Sequence, residues 1–380
     1  MPAESVLSPR FLRLTAANFC FFLTFTSFFL LPLHIRALGG SDAMAGYVMG
    51  TNGVAGLVGI LVVGALLDRF DRRLFLRGGL VAMAVLALCF LVVDHVGPLL
   101  FLLRALQGVA FAAGFNAAST LAVDFAPPAR RGEALGLFGV STLATHALAP
   151  TIGEQLIHLG GFPLLFVVAS GYSVVGLAIA WTLPAPVLVQ GRSAPLRPTP
   201  DLVALLAAVA CCGVAFGTVV TFTPTFVHDE HLGPVATFFL SYTVAAIAVR
   251  VVAGRLGDRV GYRRVAQPAM LGLAASIAAL ATVHSVLLLG IVGLVFGAMQ
   301  GLVFPTLNAF AITNAEPTQI GRLQTFFNGT FNLGVTAGAM LLGNVVDAFG
   351  HRSAFLFAAA TALLAVVLIT AGTHPDRLSS

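Results

Sequence analysis

The pattern Gly64-x-x-x-Asp68-Arg69, with Arg72 and Arg73 close behind, returns 190 residues later as Gly254-x-x-x-Asp258-Arg259-x-Gly261-x-Arg263-Arg264. Each copy closes a long apolar run, and 190 is half of the 380-residue chain. A soluble protein has no reason to write one polar turn twice, between hydrophobic segments, at half its own length. A membrane protein built from two equivalent halves does, because each half needs the same turn at the same membrane face.

Composition agrees. Hydrophobic residues make up 58% of the chain, charged residues 9%, and mean hydropathy is +0.97. An ordinary globular domain carries roughly a quarter charged residues, so this chain cannot cover itself in water-facing charge. A membrane-crossing helix needs about 20 mostly apolar residues. Twelve such spans are predicted, roughly at 12–35, 43–67, 75–94, 98–124, 133–159, 162–183, 201–227, 235–257, 265–283, 286–313, 319–346 and 353–372. The fold class expected is an all-α polytopic membrane protein.

Glycine is abundant, at 40 residues, and fits close helix–helix approach in lipid. Lysine is absent; all 20 basic residues are arginine. Without lysine there is no P-loop, no Schiff-base lysine and no Ser–Lys pair. An ATP-driven motor within this chain is excluded, no enzyme activity is expected, and no cofactor is expected. Cys20, Cys89, Cys211 and Cys212 fall inside spans and carry no expected role, no metal-ligand spacing exists, and no metal site is expected.

The net charge of +5 reads as topology, not as a nucleic-acid footprint. Arg10 and Arg13 precede span 1, Arg69, Arg72, Arg73 and Arg77 lie at the 2–3 loop, and Arg130 and Arg131 at the 4–5 loop. Arg192 and Arg197 follow at 6–7, Arg255, Arg259, Arg263 and Arg264 at 8–9, Arg322 near 10–11, and Arg377 in the tail. The alternate loops hold only Arg36 and Arg352, beside Asp42, Asp94, Asp229 and Glu230. The positive-inside rule puts both termini in the cytoplasm, which predicts a multi-pass protein of the inner (cytoplasmic) membrane. The first apolar run is too long for a cleaved signal peptide, and no small-residue cleavage site follows it.

The repeat extends beyond one turn: at the same offset Asp124 meets Asn314 and Pro127 meets Pro317. Residues 184–200 are the longest polar interval, which predicts a cytoplasmic linker between six-helix bundles at 1–183 and 201–380. Over essentially its whole length the chain resembles the major facilitator superfamily. Its 2–3 loop and the repeat are similar to the family motif Gly-x-x-x-Asp-Arg-x-Gly-Arg-Arg. Arg104-Ala-Leu-Gln107-Gly108 in span 4 is similar to the Arg-x-x-Gln-Gly motif, and Ala149-Pro150-Thr151-Ile152-Gly153 in span 5 to the Gly-Pro-x-x-Gly element of exporters. Asp71 stands at the turn glycine of the first motif, and Ala149 at the first glycine of the third.

The resemblance implies twelve transmembrane helices in two pseudo-symmetric bundles, alternating access and a small-molecule substrate near mid-membrane. Secondary active transport, by proton-coupled efflux, is the expected function. Its expected partners are a small organic solute, protons and the lipid bilayer, with no nucleic acid and a monomeric state. Two alternatives stay open: proton-coupled uptake of an anionic nutrient, and a non-transporting receptor on the same fold.

The resemblance also implies a cytoplasmic gate. Asp68 is expected to face the start of span 11, around Thr318 to Gly321, where a helix N-terminus stabilises a carboxylate by a few tenths to about 1 kcal/mol when exposed. Arg72 is expected to reach Asp124. Arg69, Asp258 and Arg259 complete the set; the alternative for all of them is ordinary solvated loop charge.

Arg104 sits six positions into span 4, roughly 9 Å deep, where a cation costs at least ~2.5 kcal/mol. Glu154 lies at similar depth in span 5 and is a candidate partner, either as a proton or substrate switch or as a permanent structural pair. His146 and Pro150 precede Glu154 on the same stripe, and histidine titrates near neutral pH. Arg250 lies eight positions before Asp258 and serves either gating and packing or attraction of anions. Neutral amides fall in the spans at Asn18, Asn52, Asn116, Gln300, Asn308, Gln324, Asn328 and Asn332, and lipid disfavours them outside. The resemblance makes spans 1, 4, 7 and 10 line the cavity, which favours Asn18, Asn116, Gln300 and Asn308. The phenylalanines of span 1 go all round the helix, so most are expected against lipid or neighbouring helices.

Overall fold

The structure is a computed structural model that describes residues 6–67, 70–127, 130–185, 199–253, 256–313 and 319–372. Helix α1 (Pro9–Ser27) starts on Ser8, whose hydroxyl accepts from the Phe11 N–H. Pro9 takes the first position, where no N–H is needed. A 3-10 turn at Phe28–Leu30 leads into α2 (Leu31–Ala37), so Pro9–Ala37 forms one 29-residue apolar segment. There follow α3 (Asp42–Leu67), α4 (Arg72–Cys89), α5 (Pro98–Phe125), α6 (Arg131–Trp181) and α7 (Pro200–Asp229). The remaining helices are α8 (Ala236–Ala253), α9 (Leu256–Val260), α10 (Tyr262–Leu280), α11 (Val286–Ile312) and α12 (Ile320–Gly372).

At 51 and 53 residues, α6 and α12 are far longer than one membrane crossing. Each is broken by glycine at positive φ, Gly161 at +70° and Gly350 at +81°, a conformation that side chains resist. The breaks fall between the predicted spans 133–159 and 162–183, and between 319–346 and 353–372. Counting both halves of each, with the 19-residue α10, the described residues hold twelve segments of membrane length. Their outer faces are apolar: Val62 is 58% exposed and Leu287 71%. Such a surface is covered by hydrocarbon, not water.

The helices sort into two compact units, Met1–Gly39 with Thr51–Gln190, and Gly40–Gly50 with Gly191–Ser380. In the first, α1 packs on α5 and α6, and α4 on α5 and α6. In the second, α7 packs on α12, α8 on α11, and α10 on α11 and α12. The pairs α1–α6, α4–α5 and α4–α6 therefore recur as α7–α12, α10–α11 and α10–α12. Glycines set the closest approaches. A Cβ on Gly108 would lie 2.1 Å from the Asn52 carbonyl oxygen, and one on Gly297 2.1 Å from that of Tyr242, which is 190 residues after Asn52.

The grouping of residues 40–50 with the second unit is not written in the repeat. It follows from two glycines and a cap. A Cβ on Gly46 would lie 2.1 Å from the Ala339 carbonyl oxygen, and one on Gly50 2.1 Å from Cγ of Met340. Asp347 accepts from the N–H groups of Asp42 and Ala43 at 2.9 and 3.2 Å, satisfying the free end of α3.

The two copies of the repeated turn are built differently. Gly261 enters α10 at φ +93°, whereas Asp71 enters α4 at φ −60° and accepts from the Arg73 N–H at 2.9 Å. The aspartate replaces conformational freedom with a helix cap.

Candidate functional site

The costliest polar group of the first unit is Arg104, 3% exposed on α5. Its Nη1 donates to Oε1 of Gln107 at 2.8 Å, so the arginine and glutamine of the Arg-x-x-Gln-Gly pattern bond to one another one helical turn apart. The guanidinium lies 5.7 Å from the centroid of the Phe28 ring, and the Arg104 carbonyl accepts from the side-chain amide of Asn52 at 3.3 Å. Gln107 is 1% exposed. Charge, ring and amide thus fix one another inside the helix packing.

A polar seam joins α1 to α6. Asn18 donates to the Thr142 hydroxyl at 3.0 Å, and Thr26 donates to the Thr145 carbonyl at 3.2 Å. His146, one residue along, is half-buried and stands edge-on to Phe29 with centroids 5.2 Å apart. Pro150 is buried two positions past Leu148, and Glu154 is half-buried one turn further on the same helix. Asn116 on α5 is half-buried and donates to the Ala112 carbonyl of its own helix at 2.6 Å.

Beside this seam stands an aromatic wall. Phe25 stacks on Phe111 at 4.2 Å, Phe111 on Phe115 at 5.5 Å, and Phe22 meets Phe115 edge-on at 5.1 Å. The signal was present: Phe22, Phe25 and Phe29 follow helical i, i+3, i+7 spacing, and Phe111 and Phe115 are at i, i+4. Phenylalanines all round α1 masked it.

In the second unit, Arg250 is half-buried on α8, two turns after buried Tyr242. Gln300 is 5% exposed, with no hydrogen bond to its Oε1 among the described residues. Asn308 and Gln324 exchange two amide hydrogen bonds, at 3.2 and 2.8 Å, joining α11 to α12. Asn328 and Asn332 are half-buried at i, i+4 on α12, close in sequence to Phe327 and Phe331, which both meet Phe304 of α11 edge-on.

Of the residues expected at a cytoplasmic gate, Asp68 and Arg69 lie outside the described residues, as do 314–318 and the side chain of Asp258. Arg72 donates to Asp124 and ties the start of α4 to the end of α5 inside the first unit. Arg259 is exposed on α9. Arg73 grips Asp71 through Nε at 2.9 Å and Nη2 at 2.6 Å, and this bonding holds the Asp71 carboxyl below the usual carboxylate range. Three arginines then converge on the last carbonyls of α6: Arg13 on Thr182, Arg73 on Leu183, and Arg77 on Ala180 and Trp181. Cations there meet the negative end of the helix dipole. At the repeat offset, Arg263 and Gln267 bond Thr370 at the end of α12.

A model of the major facilitator superfamily matches residues 14–249 and 234–379. The chain belongs to that superfamily. It is a multi-pass membrane transporter of small molecules, and its work is translocation without covalent chemistry. Among its relatives, the multidrug resistance protein MdtG of Klebsiella pneumoniae (strain 342) is 25% identical over 402 residues, covering 96% of this chain and 94% of that protein. MdtG of Enterobacter lignolyticus (strain SCF1) is 26% identical over 381 residues, covering 93% and 88%. Among solved structures, a mutant of the nucleoside transporter NupG superposes with a TM-score of 0.80 at 14% identity, covering 96% of this chain and 100% of that one. A bacterial homolog of the human lysosomal transporter Spinster gives 0.77 at 14% identity, covering 97% and 95%. At these identities the superpositions establish the superfamily fold.

Proposed function

We propose that this superfamily transporter exports small, largely apolar organic solutes in exchange for protons. The observation that carries the reading is a buried cation next to aromatic surface: Arg104 is 3% exposed on the helix that also supplies Phe111 and Phe115. An arginine at membrane depth is expensive and is kept for what it does. Stacked rings give a solute apolar area with little demand on its exact shape. That tolerance suits relatives named for multidrug resistance.

Glu154 is the coupling group in this reading, with His146 on the same face of α6 as the second proton acceptor. Glu154 takes up and releases the coupling proton, while Arg104, held by Gln107, offers its charge to the solute. Within the first unit half-buried Asn116, and within the second half-buried Arg250, Asn328 and Asn332, are the polar groups proposed for solute recognition, while Asn18, Gln300 and Asn308 hold the helix packing around them. The Arg72–Asp124 pair of the first unit is the described part of the proposed cytoplasmic gate, to which the sequence motif also assigns Asp68, Arg69, Asp258 and Arg259. Both termini are cytoplasmic in the inner membrane, and one chain suffices. A proton moving down 100 mV supplies about 2.3 kcal/mol, enough for extrusion against a substantial gradient.

Proteoliposomes with a fixed chain orientation test this. A lipophilic aromatic dye is expected to move out of the cytoplasmic-side compartment when the opposite compartment is acid, and Glu154→Gln is expected to abolish the gradient dependence. A second reading, uptake of an organic anion, is favoured by the two membrane-depth arginines Arg104 and Arg250. It predicts inward flux of an organic carboxylate, competing with the dye, under the same gradient.

A further inference from the structure

Asp42, Asp229 and His351 bring one ligand atom each to a common point, all within 4.8 Å of one another. They come from three places: the first turn of α3, the last turn of α7, and the position after the Gly350 break in α12. Nε2 of His351 lies 3.7 Å from Oδ2 of Asp42. The site graduates from interior to surface, with side-chain exposures of 2% for Asp42, 11% for His351 and 33% for Asp229.

We propose that these residues form a divalent transition-metal site, for an ion of the Zn2+ class. One imidazole and two carboxylates are a mixed nitrogen and oxygen set, which suits Zn2+ better than the all-oxygen shells of Ca2+ and Mg2+. In a tetrahedral zinc site with bonds of about 2.0–2.1 Å, neighbouring ligand atoms stand roughly 3.4 Å apart. The His351–Asp42 separation is already close to that, and Asp229, the most exposed of the three, has the freedom to close the remainder. A fourth position is left for water.

Three features of the surroundings favour a cation here. Asp229 is a carboxylate in the last turn of a 30-residue helix, where the dipole disfavours negative charge and a bound cation reverses the sign. Asp347 adds a further carboxylate alongside, held on the N–H groups of Asp42 and Ala43. His351 is oriented in advance: its ring packs 5.9 Å from Phe226, and its Nε2 is 2.9 Å from Oγ1 of Thr225. That hydroxyl itself donates to the Phe222 carbonyl at 3.2 Å, so it accepts from Nε2–H in the metal-free form. Loading the metal moves the imidazole proton from Nε2 to Nδ1 and exposes the Nε2 lone pair. The bound ion would fasten the start of α3 to the end of α7 and to the Gly350 break of α12, on the face that the distribution of arginines places outside the cell.

The test uses the full-length protein in detergent, stripped with chelator, then titrated with Zn2+ alone and read by thermal unfolding and calorimetry. Zn2+ is expected to raise the unfolding temperature and bind one equivalent. His351→Gln and Asp229→Asn are each expected to weaken binding by roughly tenfold or more, since even outer-shell partners of metal sites are worth that much. His158→Gln, at an exposed position, is expected to leave it unchanged. Co2+ is expected to show visible absorption bands that His351→Gln removes. Should Zn2+ leave the wild-type curve unmoved, or shift it equally in His351→Gln and Asp229→Asn, the site does not exist. Asp229 is partly exposed, so its variant answers the question even where Asp42→Asn fails to fold.

Discussion

The guanidinium of Arg104 is bonded to the Gln107 side chain at 2.8 Å, one turn along the same helix. The charge therefore carries its own dipolar partner within α5 and is held in place before any solute arrives. Arg104→Ala is expected to lower transport by about tenfold or more, given that a hydrogen bond to a charged group contributes about 1.5–3 kcal/mol. Insertion and monodispersity are expected to survive. Gln107→Leu leaves a buried cation short of a partner, and its expected signature is a loss of stability. Flux in proteoliposomes beside thermal unfolding separates the two; full transport by Arg104→Ala would remove the residue from the mechanism.

Asn308 and Gln324 form a closed pair, each amide donating to the other. Truncating either one leaves its half-buried partner without these bonds, at a cost of about 0.5–1.5 kcal/mol. Replacing both by leucine is expected to cost less than the two single changes together, because neither amide is left without its partner. A double-mutant cycle on unfolding temperature reads the coupling. If the double variant is stable yet transport falls, the amides also touch solute.

The two copies of the repeated turn are expected to respond differently to substitution. Gly261 sits at φ +93°, so Gly261→Ala forces a side chain into a strained conformation, costing about 1–3 kcal/mol. Asp71→Ala removes a helix cap instead, for about 0.5–2 kcal/mol. The Asp71 carboxyl lies below its ordinary range because Arg73 bonds it. Its stabilising contribution is therefore complete above the unfolded-state value of about 3.9 and is lost as pH falls through the lower folded value. Asp71→Asn is expected to match wild type at acid pH and fall below it near neutrality. A difference that instead grows on acidification contradicts the assignment.

Glycine has two uses in this chain, and substitution distinguishes them. A Cβ on Gly334 of α12 would lie 2.1 Å from the Ala210 carbonyl oxygen of α7, whereas one on Gly136 of α6 meets nothing within 4 Å. Gly334→Ala is expected to separate α7 from α12 and reduce the yield of folded protein. Gly136→Ala is expected to be neutral, or stabilising by up to about 1 kcal/mol through helix propensity. Detergent-solubilised yield and unfolding temperature of the two variants check this.

Much of the fold is legible because lipid imposes a simple rule on sequence. Crossings must be apolar and about 20 residues long, and the points where they end carry arginine, proline or glycine. Gly161 and Gly350 thus sit where the predicted spans divide, although the helices on either side run on almost without interruption. Side-chain placement is less legible. The bond from Arg104 to Gln107 needs only helical spacing, yet matching charge and depth along the sequence points to Glu154 as the partner. The aromatic wall of Phe22, Phe25, Phe111 and Phe115 needs knowledge of which faces of α1 and α5 meet. The packing of residues 40–50 with the second unit rests on Gly46, Gly50 and Asp347, three residues that no periodicity connects.

The central claim is proton-driven export, and oriented proteoliposomes test it most directly. With an imposed pH gradient and no membrane potential, a lipophilic aromatic dye is expected to leave the cytoplasmic-side compartment against its own gradient, with counterflow of protons, and Glu154→Gln is expected to carry only downhill exchange. Dye movement in the opposite direction, or uphill transport retained by Glu154→Gln, would contradict the account.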